Sequence, residues 1–443
     1  MRGKIIMKKN NTATIKIHHA HLWGMREDKY RILSKTDMTE TEWETLKPQS
    51  PFYLFIPQDV RLLKEYEKWQ RISDIMPVNS VGIVTARDHL TIHWSRENAW
   101  ETVQDFASLP EEKAREKYQL GEDAQDWKVK LARQDLGDSG LEIKFLAPVL
   151  YRPFDTRWTY YTGKSRGFIC RPRSEVMGHI LAGKNLGICI GRAGQVIGEE
   201  EWDIIFPTKF ITEFNMYRRG GNVLFPLYIY PSPDEAGIFV KRPNFSQEFV
   251  EEISHCLQLC FIHDGKGDLR KTFGPEDAFH YMYAVFHSPE YRSRYAEFLK
   301  MDFPRLPLTG NLDLFRSLTS IGGELVALHL MESTRLDKHI TKFIGDIPSG
   351  EIEKITYSGE TIFIDKAKSQ GFRGVPEEVW NFHIGGYQVC EKWLKDRKGR
   401  RLSEEEIDHY QRIVVALKET IRLMGEIDEV IEKYGGFPGA FVV

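Results

Sequence analysis

Hydrophobic and polar positions change period along this chain, and the changes predict its elements. The run 15–20 reads as a strand leading through Trp23-Gly24 into a charged helix start. Residues 52–56 predict a second strand, 60–70 a helix, 80–94 two short strands around Arg87-Asp88, and 97–131 charged helix. From 139 to 232 the apolar runs shorten to 145–151, 158–161, 186–190 and 223–230, punctuated by Gly and Pro. Prolines inside such runs predict edge or irregular strands. Ser174 as N-cap and Gly183 as stop bound one short helix there. Pro231-Ser-Pro-Asp234 marks a boundary, after which helices are predicted at 246–262 and 276–300, with Ser288 as N-cap and Pro289 in the first turn. A small β patch follows at 351–366. Ser403 and Glu406 form a capping box, and Ile407, Tyr410, Val414, Leu417, Ile421, Met424 and Ile427 keep one apolar stripe along the last helix. The pattern predicts an α+β protein: a mixed segment at 1–138, an irregular β-rich core at 139–232 and a helix-rich part at 233–443.

Composition adds little until it is read locally. Over 443 residues, 61 basic and 64 acidic side chains leave a net charge of −3, so the bulk field does not attract polyanions. Five scattered cysteines make no disulfide framework. The start, MRGKIIMKKN, lacks the apolar core of a signal peptide, and no run reaches the ~20 apolar residues of a membrane span, so a cytoplasmic, membrane-free setting is expected. The segment 151–198 departs from this average. Eight cations (Arg152, Arg157, Lys164, Arg166, Arg171, Arg173, Lys184, Arg192) face two acids, Asp155 and Glu175, a local charge of +6 with six aromatic residues interleaved. The planar arginine fork suits phosphate and guanine, and Gly163 and Gly167 would let the backbone near Lys164 and Arg166 approach a duplex. The segment reads either as a DNA-reading loop or as a solvated basic face. A second cluster, Lys392, Lys395, Arg397, Lys398, Arg400 and Arg401, lies where cations also complement a helix dipole.

Several chemistries lack their residues. Gly163-Lys164-Ser165 ends like a phosphate loop, but Trp158 stands where its first glycine is required. Gly191-Arg-Ala-Gly194 is out of register for a dinucleotide turn. There is no Pro-Pro dipeptide for an adenine-gripping loop and no F-x-G-x-G cofactor turn. Cys256, Cys260 and His263 lack a second Cys/His pair for zinc. No catalytic, cofactor or metal residue is assigned.

The longer motifs carry a resemblance. Tyr151-Arg-Pro-Phe-Asp155-x-Arg157, with Arg171-Pro-Arg173 and Val176-Met177, resembles the C-terminal specificity region of Type ISP restriction-modification enzymes and related adenine-specific DNA methyltransferases. So do His280-Tyr-Met-Tyr-Ala-Val-Phe-His-Ser-Pro289-Glu-Tyr-Arg292, continuing to Pro307, and Gly385-Gly-Tyr387-Gln-Val389 with Trp393-Leu394-Lys395-x-Arg397. Leu22-Trp23-Gly24 and Gly82-Ile-Val-Thr85-x-Arg87-Asp88 resemble the link between methyltransferase and specificity parts.

The resemblance implies sequence-specific recognition of double-stranded DNA for an adenine-N6 methyltransferase. It places S-adenosylmethionine on a methyltransferase part encoded elsewhere, with helicase and nuclease parts as further possible partners. Residues 1–138 would then follow that part in the family's order. Expected DNA-binding residues are Arg152, Arg157, Lys164, Arg166, Arg171, Arg173 and Arg192, with Arg218 and Arg219 at a hairpin tip beside Gly220-Gly221. Asp155 is a candidate partner for Arg152 or Arg157, which would make one of the two structural. Tyr281, Tyr283, Tyr291, Tyr295 and Phe298 are read as core packing, and Arg305 as a loop anchor. A coupling scaffold silent toward DNA, and a DNA-acting enzyme with an unrecognised site, are the competing readings.

Overall fold

β1 (Ile17–His19) pairs antiparallel with β2 (Glu44–Leu46), and helices occupy Arg26–Lys35 and Val60–Tyr66. These elements lie in the first of two compact units, Met1–Glu67 and Lys68–Val443. The computed structural model describes residues 16–22, 25–48, 53, 55, 60–124, 126–191, 201–231, 237 and 240–441. The expected strand at 52–56, except positions 53 and 55, lies outside the described residues, as do Trp23, Gly24, Arg192 and positions 232–234 of the expected boundary.

The second unit opens with β3 (Gln70–Arg71) and β4 (Ser80–Val81). A short helix, Asp88–Thr91, replaces the second strand expected before Trp94. β5 (Leu146–Arg152) and β6 (Asp155–Tyr160) then form an antiparallel ribbon with Val149 opposite Arg157. The register slips between Leu150 and Arg152, so Arg152 comes to face Asp155 across the turn. β7 (Gly187–Gly191), β8 (Ile205–Thr208), β9 (Ile211–Thr212) and β10 (Asn222–Pro226) complete two sheets, ordered β6-β5-β9 and β4-β10-β7-β8. Pro148 is tolerated in β5 because β9 pairs only with Val149 and Leu150, leaving that side of Pro148 without a ladder. The second sheet takes β4 from upstream of residue 139, so the β-rich core draws on the mixed segment before it.

The segment 210–225 is not the expected hairpin. β9 runs parallel to β5, whereas β10 runs antiparallel to β7 and β4 in the other sheet, with a 3-10 turn at Phe214–Met216 between them. The buried side chain of Asn222 ties the two sheets, donating to Thr212 Oγ1 at 3.0 Å and to the Glu213 carbonyl at 3.2 Å.

Beyond 240 the unit is mainly helical, and the overall class is α+β. Ser246 caps Gln247–Leu257. The expected helix at 276–300 breaks into Pro275–Val285, Pro289–Arg294 and Ala296–Leu299, with Ser288 capping the second piece. Pro275–Val285 packs on Leu312–His329, which packs on Glu404–Lys433. The last of these carries the Ser403/Glu406 capping box. Tyr283 Oη donates to His329 Nδ1 at 2.5 Å. Thr420 Oγ1 donates to the Ala416 carbonyl at 2.7 Å, so at 2.8 Å it accepts from His329 Nε2. That chain needs a neutral imidazole, and burial pushes the His329 pKa down to about 3. Tyr281, Tyr283, Tyr291, Tyr295 and Phe298 are all buried, as packing residues should be. The β patch is a four-stranded sheet, Lys342–Ile344, Gly371–Arg373, Thr361–Phe363 and Thr356–Ser358 in spatial order. No helix among the described residues is long and apolar enough to cross a membrane.

Candidate functional site

The period of β6 puts Asp155 and Arg157 on one face, and the slip in β5 brings Arg152 to the same place. Asp155 is 2% exposed. Its Oδ2 accepts Arg157 Nε and Nη2 at 3.1 and 2.8 Å, and its Oδ1 accepts Arg397 Nη2 at 3.0 Å. Burial pushes this carboxyl up, but Arg397 and Arg157 more than reverse the effect and hold it below the usual carboxylate range. Arg152 Nη1 donates to Glu213 Oε2 at 3.1 Å. Burial, only partly offset by Arg152, pushes the Glu213 carboxyl up to about 7.

Guanidinium groups and rings alternate through this cluster. Arg397 lies 3.4 Å from the Trp393 ring centre and 4.7 Å from that of Trp94. Arg157 lies 3.8 Å from Trp94 and 4.1 Å from Tyr151, and Arg152 lies 3.9 Å from Tyr151 and 5.8 Å from Tyr387. Arg400 also sits over Trp94 at 4.0 Å. The ladder joins the β5–β6 ribbon to the Val389–Lys395 helix and the turn after it. Each stacked cation adds about 0.5–2 kcal/mol, more when desolvated.

Arg152 and Arg157, expected among the DNA-binding residues, are each 9% exposed and bonded to the buried carboxylates of Glu213 and Asp155. Breaking a buried pair costs about 3–5 kcal/mol. A charge-assisted hydrogen bond to phosphate returns only about 1.5–3. Both arginines therefore brace the fold, where one structural arginine was anticipated.

The remaining cations of the segment behave differently. Lys164, Arg166 and Arg171 are exposed and Arg173 is half-buried. Lys164 pairs with Asp138 at 2.6 Å, and Arg171 pairs with Asp126. Exposed pairs of this kind are worth about 0–1 kcal/mol, so a phosphate can replace the acid. Arg166 and Arg173 make no ion pair among the described residues. With Ser165, Arg171 and Ser174 they line an open polar groove that also holds Asp126 and Glu175. Arg173, not Ser174, occupies the N-cap of Ser174–Leu181, in a left-handed conformation at φ +56°. Gly167 does not serve backbone approach to a duplex. The space of its absent Cβ is filled by the Asp135 carboxylate, which accepts the Phe168 N–H at 2.8 Å and Thr162 Oγ1 at 2.9 Å.

Arg218 and Arg219 are exposed and also free of ion pairs among the described residues. Their turn is pinned from behind. The Arg218 N–H donates to the Gly385 carbonyl at 2.9 Å, and Gly220 (φ +83°) has no room for a Cβ against the Phe214 ring.

The second basic cluster is largely absorbed by the fold. Lys392 pairs with Asp396 at 2.5 Å, Lys395 with Glu391 at 2.8 Å, Arg400 with Glu406 at 3.3 Å, and Arg397 is buried on Asp155. Arg305 is an anchor, with Nη1 donating to the Trp69 carbonyl at 2.7 Å. Two residues of the buried cluster, Trp94 and Glu213, were not singled out from the sequence.

The fold is similar to that of a nuclease-deletion mutant of the Type ISP restriction-modification enzyme LlaGI in complex with a DNA substrate mimic (TM-score 0.64, 19% identity, 94% of this chain and 33% of that one). It is also similar to the DrdV–DNA complex (0.62, 18%, 90% and 42%). A third similar structure is the ATP-dependent Type ISP restriction-modification enzyme LlaBIII bound to DNA (0.60, 16%, 88% and 25%). The chain thus spans between a quarter and under half of the length of these proteins. No curated protein matches the sequence. Residues 74–426 match the Type ISP C-terminal specificity domain, and the chain belongs to that family.

Proposed function

We propose that this chain is the sequence-specificity module of a restriction-modification adenine-N6 DNA methyltransferase and that it reads double-stranded DNA. S-adenosylmethionine binding and methyl transfer belong to a methyltransferase part outside this chain. The observation that carries the reading is electrostatic: in a protein of net charge −3, exposed Arg166, Arg218 and Arg219 and half-buried Arg173 make no ion pair among the described residues. Family membership supports it, as do the DNA-bound states of the LlaGI, DrdV and LlaBIII structures. Cations around the 164–173 groove fix register on phosphates, and the arginines at 218–219 contact base edges.

The first test is the salt dependence of duplex binding. Arg166→Ala is expected to weaken binding to every sequence and to flatten the slope of log K against log[salt] by about 0.9, one phosphate contact. An unchanged slope in a folded variant moves the contact elsewhere. The second test separates reading from holding. Replacing Arg218 or Arg219 with Ala is expected to relax preference at one target position by about 1–3 kcal/mol while non-specific affinity stays nearly intact. A randomised-duplex selection that recovers the wild-type site at full information from both variants removes this turn from base reading.

A further inference from the structure

Residues 264–272, Asp-Gly-Lys-Gly-Asp-Leu-Arg-Lys-Thr, form a basic loop that lies well outside the 151–219 segment. It joins two short strands that pair in parallel, Cys260–Phe261 and Thr272–Phe273, so the chain must cross back over itself within ten residues. Three devices hold that path. Asp268 Oδ1 accepts the backbone N–H groups of Arg270, Lys271 and Thr272 at 2.9, 2.8 and 2.9 Å. The buried Asp277 carboxylate accepts those of Gly267 and Gly274 at 2.6 and 2.9 Å. Arg316 grips the Leu269 carbonyl with Nε at 2.8 Å and Nη2 at 2.6 Å. Gly267 closes the knot, since a Cβ there would overlap the Thr272 carbonyl.

Both of these carboxylates accept hydrogen bonds from backbone while keeping their charge, Asp277 also attracting Lys266, and Asp264 pairs with Lys241 at 2.6 Å. The side chains of Lys266, Arg270 and Lys271 are exposed and make no hydrogen bond or ion pair among the described residues. Three exposed cations within six residues, against Asp264 and Asp268 in the same loop, stand on a backbone braced by hydrogen bonds, which lowers the ordering cost of binding an anion there. No aromatic side chain lies among them and Leu269 is the one apolar side chain of 264–272, so the loop lacks the apolar centre of a protein–protein interface. It has the character of a sequence-independent phosphate contact.

We propose that the 264–272 loop is a second DNA contact, gripping the phosphate backbone of the duplex through Lys266, Arg270 and Lys271. This rests on the DNA-recognition reading above. The test is anisotropy titration of the full chain with random-sequence duplexes over a range of salt. Wild type is compared with Lys266→Gln/Arg270→Gln/Lys271→Gln and with Arg166→Ala. The triple variant is expected to bind every duplex roughly tenfold or more weakly at moderate salt, with a slope shallower by about 2–3, at roughly 0.9 per lost contact. A wild-type slope in the triple variant overturns the proposal, and if Arg166→Ala still weakens binding, the DNA reading survives alone. A wild-type chain that binds no duplex overturns both. A second measurement needs no variant: acetylation of Lys266 and Lys271 in the wild type is expected to slow when duplex is bound. Equal rates with and without DNA overturn the proposal, leaving the loop to an acidic protein partner.

Discussion

Asp155→Ala is expected to destabilise the Lys68–Val443 unit by about 3–5 kcal/mol, because it leaves two buried guanidinium groups facing each other with their shared counter-charge gone. Arg157 and Arg397 both depend on Asp155, and neither has an equivalent substitute. Arg157 is otherwise 3.8 Å from Asp396, and Arg397 reaches Glu406 only at 3.4 Å. The stacking that remains on Trp94 and Trp393 is worth about 0.5–2 kcal/mol per cation and does not cover the loss. The sign with pH follows from the direction of the Asp155 shift. Its folded pKa lies below the ordinary value, so its contribution is present above the unfolded pKa and is lost as pH falls through the folded one. The gap between wild type and Asp155→Ala should therefore be widest near neutrality and narrow in acid. Urea denaturation across pH measures this. A variant that unfolds at the wild-type midpoint at neutral pH would falsify the view that this cluster braces the ribbon.

How much of this was legible in the sequence depends on how local each cause is. The final helix was readable because its stripe and capping box are written within thirty residues, and the Ser288-Pro289 start because capping is a four-residue event. The turn at 218–221 misled because two apolar runs around Gly-Gly predict a hairpin, while their partners are chosen elsewhere: β5 claims Ile211 and Thr212, and β7 and β4 claim the strand after the turn. Charge counting located the basic segment and could not sort it. Whether an arginine faces solvent or a buried carboxylate was decided for Arg152 by Glu213, and for Arg157 by Asp155 and by Trp94 from a distant part of the chain. A tryptophan between His93 and Ser95 carries no motif. Its role exists only once Arg157, Arg397 and Arg400 are folded around it. The 264–272 loop does not stand out in the sequence for the opposite reason: its cations are few, and what sets them apart is the bracing of the backbone beneath them, which charge counting does not see.

Gly322→Ala and Gly425→Ala are expected to move stability in opposite directions although both lie in helix interiors. Alanine is favoured over glycine in a helix by about 1 kcal/mol. At Gly425, exposed on Glu404–Lys433 with nothing near the position of an added Cβ, that gain stands alone. At Gly322 the added Cβ would lie far inside van der Waals contact with the His280 carbonyl oxygen and press on Ala284. The obstacle is backbone of the Pro275–Val285 helix, which cannot swing aside as a side chain can, so the two helices must separate. Overpacking costs about 1–3 kcal/mol, with more where backbone moves, and it outweighs the propensity gain. The buried chain from Tyr283 through His329 to Thr420 crosses from one of these helices to the other and on to the last, so it lengthens as they part. Arg316, which holds the Leu269 carbonyl of the basic loop, rides on the same helix as Gly322. Gly322→Ala is therefore expected to lower the denaturation midpoint and to speed hydrogen exchange at the amides of 267–272, while Gly425→Ala raises the midpoint and leaves that exchange unchanged. Matched midpoints for the two variants would mean that the helices do not approach as closely as Gly322 allows.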